Sequence, residues 1–110
     1  MDQTIPPLRG DAVQDERQLD GSRHLTVDMA DPSGSWFCSL HCVVDREGTL
    51  REAELELETP DGPWSGDLDV VDRLSVAGPL RLLATFVDAG HRITVELQGD
   101  EESGYIASLS

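Results

Sequence analysis

Residues 49–58 alternate more regularly between apolar and charged side chains than any other part of the chain. One parity carries Arg51, Ala53, Leu55 and Leu57, and from residue 52 onward the other carries only glutamates, namely Glu52, Glu54, Glu56 and Glu58. A period of two is typical of a strand with one buried and one solvated face. The pattern therefore predicts a strand over 49–58 with a row of four carboxylates on its outer side.

Two segments upstream show the same period. Leu25, Val27 and Met29 alternate with polar residues over 23–29, and 36–44 is the segment richest in apolar residues, with some on both parities, which is typical of a central strand. Clusters of Asp, Ser and Gly separate these segments and indicate tight turns. The three segments predict an antiparallel meander.

Two more strands are predicted near the C-terminus. Ile93, Val95 and Leu97 alternate with polar residues over 91–98, and 105–109 follows an acidic, glycine-containing turn. These segments are expected to pair with each other as a hairpin.

Residues 79–89 fit two periods. Alternation favours a strand, whereas apolar residues at i, i+3, i+4 and i+7 favour a helix. Pro79 suits a first helical position and Gly90 suits the residue after a helix end. We therefore predict a helix over 79–89, which places Leu82 and Phe86 on the side of the helix away from the core.

These elements together predict an α+β fold with an antiparallel sheet of about four to six strands. The strands are 23–29, 36–44, 49–58, 91–98 and 105–109, with one helix at about 79–89. The alternative is an all-β meander barrel or sandwich. Residues 59–66 are expected to form a loop, and 67–77 a short helix.

The domain organisation follows from the same pattern. Residues 1–22 are a polar leader, either disordered or an edge strand, and 23–110 form a single small domain.

The net charge indicates which classes of partner to expect. The 110 residues contain 22 Asp and Glu against 8 Arg and no Lys, for a net charge of −14. Nucleic acid and anionic membranes should be repelled, and a basic protein should be attracted. No apolar run has the length of a membrane span, so a cytoplasmic location is expected. Adaptation to high salt is an alternative origin of the acidity.

Cys38, His41 and Cys42 are the one cluster of thiolate and imidazole groups in the sequence. Zn²⁺ prefers such ligands. On an extended strand, however, the two cysteines share the apolar parity and His41 has the opposite one. We therefore predict that both cysteines are buried in the core and expect neither a metal nor another cofactor.

No spacing singles out a catalytic pair, so an enzyme is not favoured. The composition favours a small acidic intracellular protein-binding module, of adaptor, chaperone-like or immunity and antitoxin type, steered to a basic partner. The alternatives are a metal- or thiol-dependent protein using Cys38, His41 and Cys42, or a domain whose acidity serves solubility in high salt only. Leu82 and Phe86 are also candidates for a homodimer contact. The candidate binding residues are Glu52, Glu54, Glu56, Glu58, Trp64, Leu82 and Phe86.

Overall fold

The computed structural model describes residues 5–70, 79–88, 91–100 and 102–110, and these residues contain eight β-strands and no helix. The strands are β1 (Leu8–Arg17), β2 (Arg23–Ala30), β3 (Phe37–Val44), β4 (Leu50–Thr59), β5 (Gly62–Val70), β6 (Leu80–Asp88), β7 (His91–Asp100) and β8 (Gly104–Leu109).

Each strand pairs antiparallel with the next along the chain, so the sheet is a simple meander that curls on itself. β1 also pairs with β8, which closes the strand order into a barrel. This closure is short, because the register runs only from Leu8↔Ala107 to Gly10↔Tyr105. β1 beyond Gly10 therefore extends past the part of the sheet that β8 covers.

The inward-facing side chains of the curled sheet form the hydrophobic core. Alternate residues of β2, β3, β4, β7 and β8 are buried, as the period of two requires. The largest fully buried side chains are Leu8, Leu25, Met29, Leu40, Leu55, Leu57, Leu80, Leu82, Leu97, Val27 and Val44.

The five predicted strands are confirmed, but the α+β class is wrong. The segment predicted as a helix at 79–89 is strand β6, which pairs with β7 from Leu80↔Gly99 to Asp88↔His91 and with β5 at Leu68↔Phe86 to Val70↔Ala84. Pairing on both sides and burial of alternate leucines outweigh the local end signals. Pro79 precedes the strand, a position in which its missing N–H removes no bond from the ladder.

The predicted loop at 59–66 is also wrong, because the chain forms a tight hairpin there. Thr59 pairs with Gly62, whose φ of 125° lies in the region that favours glycine. The Thr59 hydroxyl donates to the Gly62 carbonyl at 2.9 Å and accepts from the Asp61 N–H at 3.0 Å. Residues 67–70, predicted as the start of a short helix, continue β5, and 71–77 lie outside the described residues.

Strand β1, within the predicted leader, contains a β-bulge. Ala12 pairs with Val27 and Gln14 with Thr26, so Val13 is the extra residue. Val13 is 63% exposed. Because the bulge shifts the parity of the strand by one, Asp15 takes the inward side that Leu8 occupies before the bulge.

Aspartate side chains stabilise two of the hairpin turns by accepting hydrogen bonds. The Asp31 carboxylate accepts from the Trp36 N–H at 2.9 Å and from the Ser33 hydroxyl. Asp45 accepts from the Glu47 and Thr49 N–H groups, each at 2.9 Å. These bonds satisfy backbone donors that the ladder leaves unpaired. Some of the acidic residues of the chain therefore stabilise its turns.

Candidate functional site

The four glutamates of β4 all point outward and are exposed. Across β3 and β2, the register continues this outer surface to Asp28, and across β1 to Asp11. We call the surface formed by Asp11, Asp28, Glu52, Glu54, Glu56 and Glu58 the outer acidic face. Adjacent glutamates of the row stand ~7 Å apart because alternate residues of a strand have that spacing.

The outward-facing residues of β3 form a half-buried strip between Asp28 on β2 and the glutamate row on β4. Phe37, Ser39, His41 and Val43 are directly opposite Glu58, Glu56, Glu54 and Glu52, respectively. The Ser39 hydroxyl donates to Asp28 at 2.7 Å, and the Thr26 hydroxyl lies 2.8 Å from Nδ1 of His41. The strip therefore offers two apolar side chains and two hydrogen-bonding ones between carboxylates.

The two ion pairs within the described residues lie elsewhere. They join Arg23 to Asp15 and Arg51 to Asp45, so neither one neutralises a carboxylate of the outer acidic face. The negative potential of this face is therefore not compensated by these arginines.

The structure separates the three residues of the possible metal or thiol site. Cys38 and Cys42 are buried on the inner side of β3, and burial raises the pKa of the Cys38 thiol to about 12 and that of Cys42 to about 11. His41 lies on the outer side. The predicted burial of both cysteines is confirmed, and the raised pKa values make both thiols poor nucleophiles near neutral pH. Within the described residues, no three His, Cys, Asp or Glu side chains are placed to share a metal ion.

The predicted apolar anchors are not placed as a group on the surface. Leu82 is fully buried in the core, which contradicts its predicted position on an exposed helix face. Phe86 is in β6, and its side chain lies outside what the structure describes. Trp64 lies on β5 rather than on a loop, and it packs partly buried against the core.

Sequence reasoning missed a buried ion pair. Arg23 Nε donates to Asp15 Oδ1 and Arg23 Nη2 to Asp15 Oδ2, each at 2.7 Å. The side chains are only 4% and 13% exposed, and the bonds to Asp15 raise the pKa of the Arg23 guanidinium. Arg23 has the inward parity of Leu25 and Val27, which was a usable signal. No comparable pattern indicated that Asp15 is buried, because the bulge interrupts the alternation of β1.

A cleft runs beside β1 where β8 stops covering it. It has a volume of about 410 Å³ and is lined by Asp11, Ala12, Val13, Gln14, Asp15, Asp100 and Tyr105. Carboxylates thus occur on both walls, from β1 and from the end of β7.

Comparison of the chain with protein families, with curated proteins and with solved structures finds no match. In the part of the chain that the structure describes, no helix combines the length and the apolar character needed to cross a bilayer.

Proposed function

We propose that this protein is a non-catalytic binding domain that docks a basic protein partner on its outer acidic face. The observation that supports this most strongly is the glutamate row of β4, which is exposed along its whole length and is joined by neither ion pair of the described residues. Like charges in a row repel one another, and a basic partner would relieve that repulsion.

The β3 strip suggests how such a partner is held. Opposite charges increase the rate of encounter, while affinity comes mainly from a few desolvated contacts. Phe37 and Val43 are half-buried and lie beside Glu58 and Glu52. An arginine or lysine side chain could therefore pair with a carboxylate while its aliphatic part covers one of these apolar groups.

The proposal is tested with an arginine-rich peptide as the probe in stopped-flow association. In the double variant Glu54→Gln, Glu56→Gln, the association rate at low salt should fall several-fold, and this loss should shrink as salt shortens the Debye length. Glu96→Gln with Glu102→Gln is the matched control, because both residues are exposed and lie outside the face. These two substitutions remove the same amount of charge as the pair on the face.

Equal slowing of the two double variants would mean that net charge alone attracts the peptide, and the face would not be a site. No association at low salt would reject the binding function and favour acidity that serves solubility only.

A further inference from the structure

Within the part of the chain that the structure describes, β1 has a strand partner on one side only over most of its length. It pairs with β2 from Arg9 to Arg17, whereas its pairing with β8 ends at Gly10. Among the described residues, no strand pairs with β1 on the β8 side between Asp11 and Arg17. Every second backbone N–H and C=O of such an edge points away from its neighbour and can bond to an added strand.

This edge is firmly held in place. The buried Asp15–Arg23 ion pair joins β1 to β2, and the Gln14 side chain accepts from the Thr26 hydroxyl at 3.2 Å. An edge fixed in its extended conformation loses little conformational entropy when a strand is added. The cleft of about 410 Å³ beside Asp11–Asp15 gives the added chain access to it.

The charges along the edge select the occupant. Asp11, Glu16 and Arg17 are exposed on β1, and Asp100 faces the same cleft from β7, so three carboxylates stand against one guanidinium. Charged side chains are one feature by which proteins discourage self-association of edge strands. Here the carboxylates oppose a second copy of a chain whose net charge is −14, and they favour a basic strand.

We propose that β1 between Asp11 and Arg17 accepts an extended basic segment of a partner by strand addition, with exposed Val13 as its apolar contact. This inference rests on the proposed function and adds the mode of recognition: main-chain bonds give the alignment, and basic side chains of the added strand meet Asp11, Glu16 and Asp100.

The test uses two decapeptides that alternate arginine and threonine, one unmodified and one N-methylated at every internal amide. The charges are equal, but the methylated peptide cannot donate main-chain hydrogen bonds. We expect the unmodified peptide to bind about tenfold more tightly. It should also slow hydrogen exchange at amides within 11–17.

Protein variants supply the matched control. Val13→Arg should weaken binding of the unmodified peptide about fivefold, whereas Leu83→Arg, at an exposed leucine of β6, should change it less than twofold. Both substitutions add the same charge.

The outcomes separate the two proposals. Equal binding of both peptides, with unchanged exchange at 11–17, would overturn strand addition while leaving docking on the outer acidic face. Binding of neither peptide at low salt would reject both. Dimerisation of the protein alone through 11–17 would show that a second copy occupies the edge, which would also overturn a basic partner there.

Discussion

At the scale of single residues, the bulge at Val13 determines the environment of Asp15. If β1 kept a regular ladder through Val13, Asp15 would have the outward parity of Arg9 and Asp11 and could not bond to Arg23. A buried guanidinium without a partner is costly, because desolvation is not offset by an opposing charge. The bulge therefore places the Asp15 carboxylate where it can pair with the buried charge of Arg23.

Removing the carboxylate tests this account. Asp15→Ala should lower the free energy of unfolding by about 3–5 kcal/mol, because the Arg23 charge remains buried. Arg51→Ala breaks the other ion pair, in which Arg51 is 66% exposed, and should cost less than about 1 kcal/mol. Urea denaturation of both variants provides the comparison. Similar losses for the two would show that the Asp15–Arg23 pair is not effectively buried.

A neutral pair of similar size gives a second check on the same site. Asp15→Leu with Arg23→Met should recover most of the stability lost by Asp15→Ala, since neither side chain then carries a buried charge. Failure to recover would indicate that the geometry of the ion pair itself is needed.

At the scale of elements, the period of apolar residues predicted five of the strands, while local end signals led to the wrong structure for β6. Strands β2, β3, β4, β7 and β8 each have a regular period of two, and their boundaries agree with the sequence to within a few residues. In β6 the strand and helix periods were both satisfied, and only pairing with β5 and β7 decides between them. Such non-local pairing cannot be read from a local pattern.

Two adjacent leucines of β6 test the strand directly. Leu82 is fully buried and Leu83 is 52% exposed. Leu82→Asp should unfold the domain, because burying an unpaired carboxylate costs several kcal/mol against a typical stability of ~5–15 kcal/mol. Leu83→Asp should leave it folded. Circular dichroism distinguishes the two, and loss of fold in the Leu83 variant alone would contradict the inward orientation of Leu82 in β6.

The turns give the fold a defined response to acid. Bonds from the Ser33 hydroxyl and the Trp36 N–H lower the pKa of Asp31, and bonds from the Thr49 and Glu47 N–H groups lower that of Asp45. Because the pKa is lower in the folded state, the contribution to stability is present above the unfolded value, near 3.9. It is lost as the pH falls through the folded pKa.

Asp31→Asn isolates this contribution. The difference in urea midpoint between the wild type and the variant should be constant from pH 7 to about pH 5 and should shrink as the pH falls below about 4. Because the other carboxylates titrate in both proteins, their effect cancels in the difference between the two midpoints. A difference that persists unchanged at pH 2 would show that the charge of Asp31 does not stabilise the turn.

At the scale of the whole molecule, closure of the sheet explains which parts of the candidate site the sequence could predict. The glutamate row needs only the period of β4, so its position on an outer face followed from the sequence. The neighbouring Asp28 and Asp11 depend on the register of β1, β2 and β3, and the edge of β1 depends on how far β8 extends. These are non-local properties with no signature in a short window. Leu82 was misplaced for the same reason.

The net charge of −14 makes stability depend on salt, and the outer acidic face should account for a measurable share of that dependence. Neighbouring glutamates stand ~7 Å apart, within the Debye length of ~30 Å at 0.01 M salt but beyond that of ~3 Å at 1 M. Glu54→Gln with Glu56→Gln should therefore raise the free energy of unfolding by roughly 0.2–1 kcal/mol at low salt, and this gain should vanish near 1 M.

The same gain from Glu96→Gln with Glu102→Gln in thermal melts would assign the repulsion to net charge rather than to the row. Stability that keeps rising well above 1 M salt would instead indicate a chain adapted to high salt, because direct repulsion between carboxylates is already screened there.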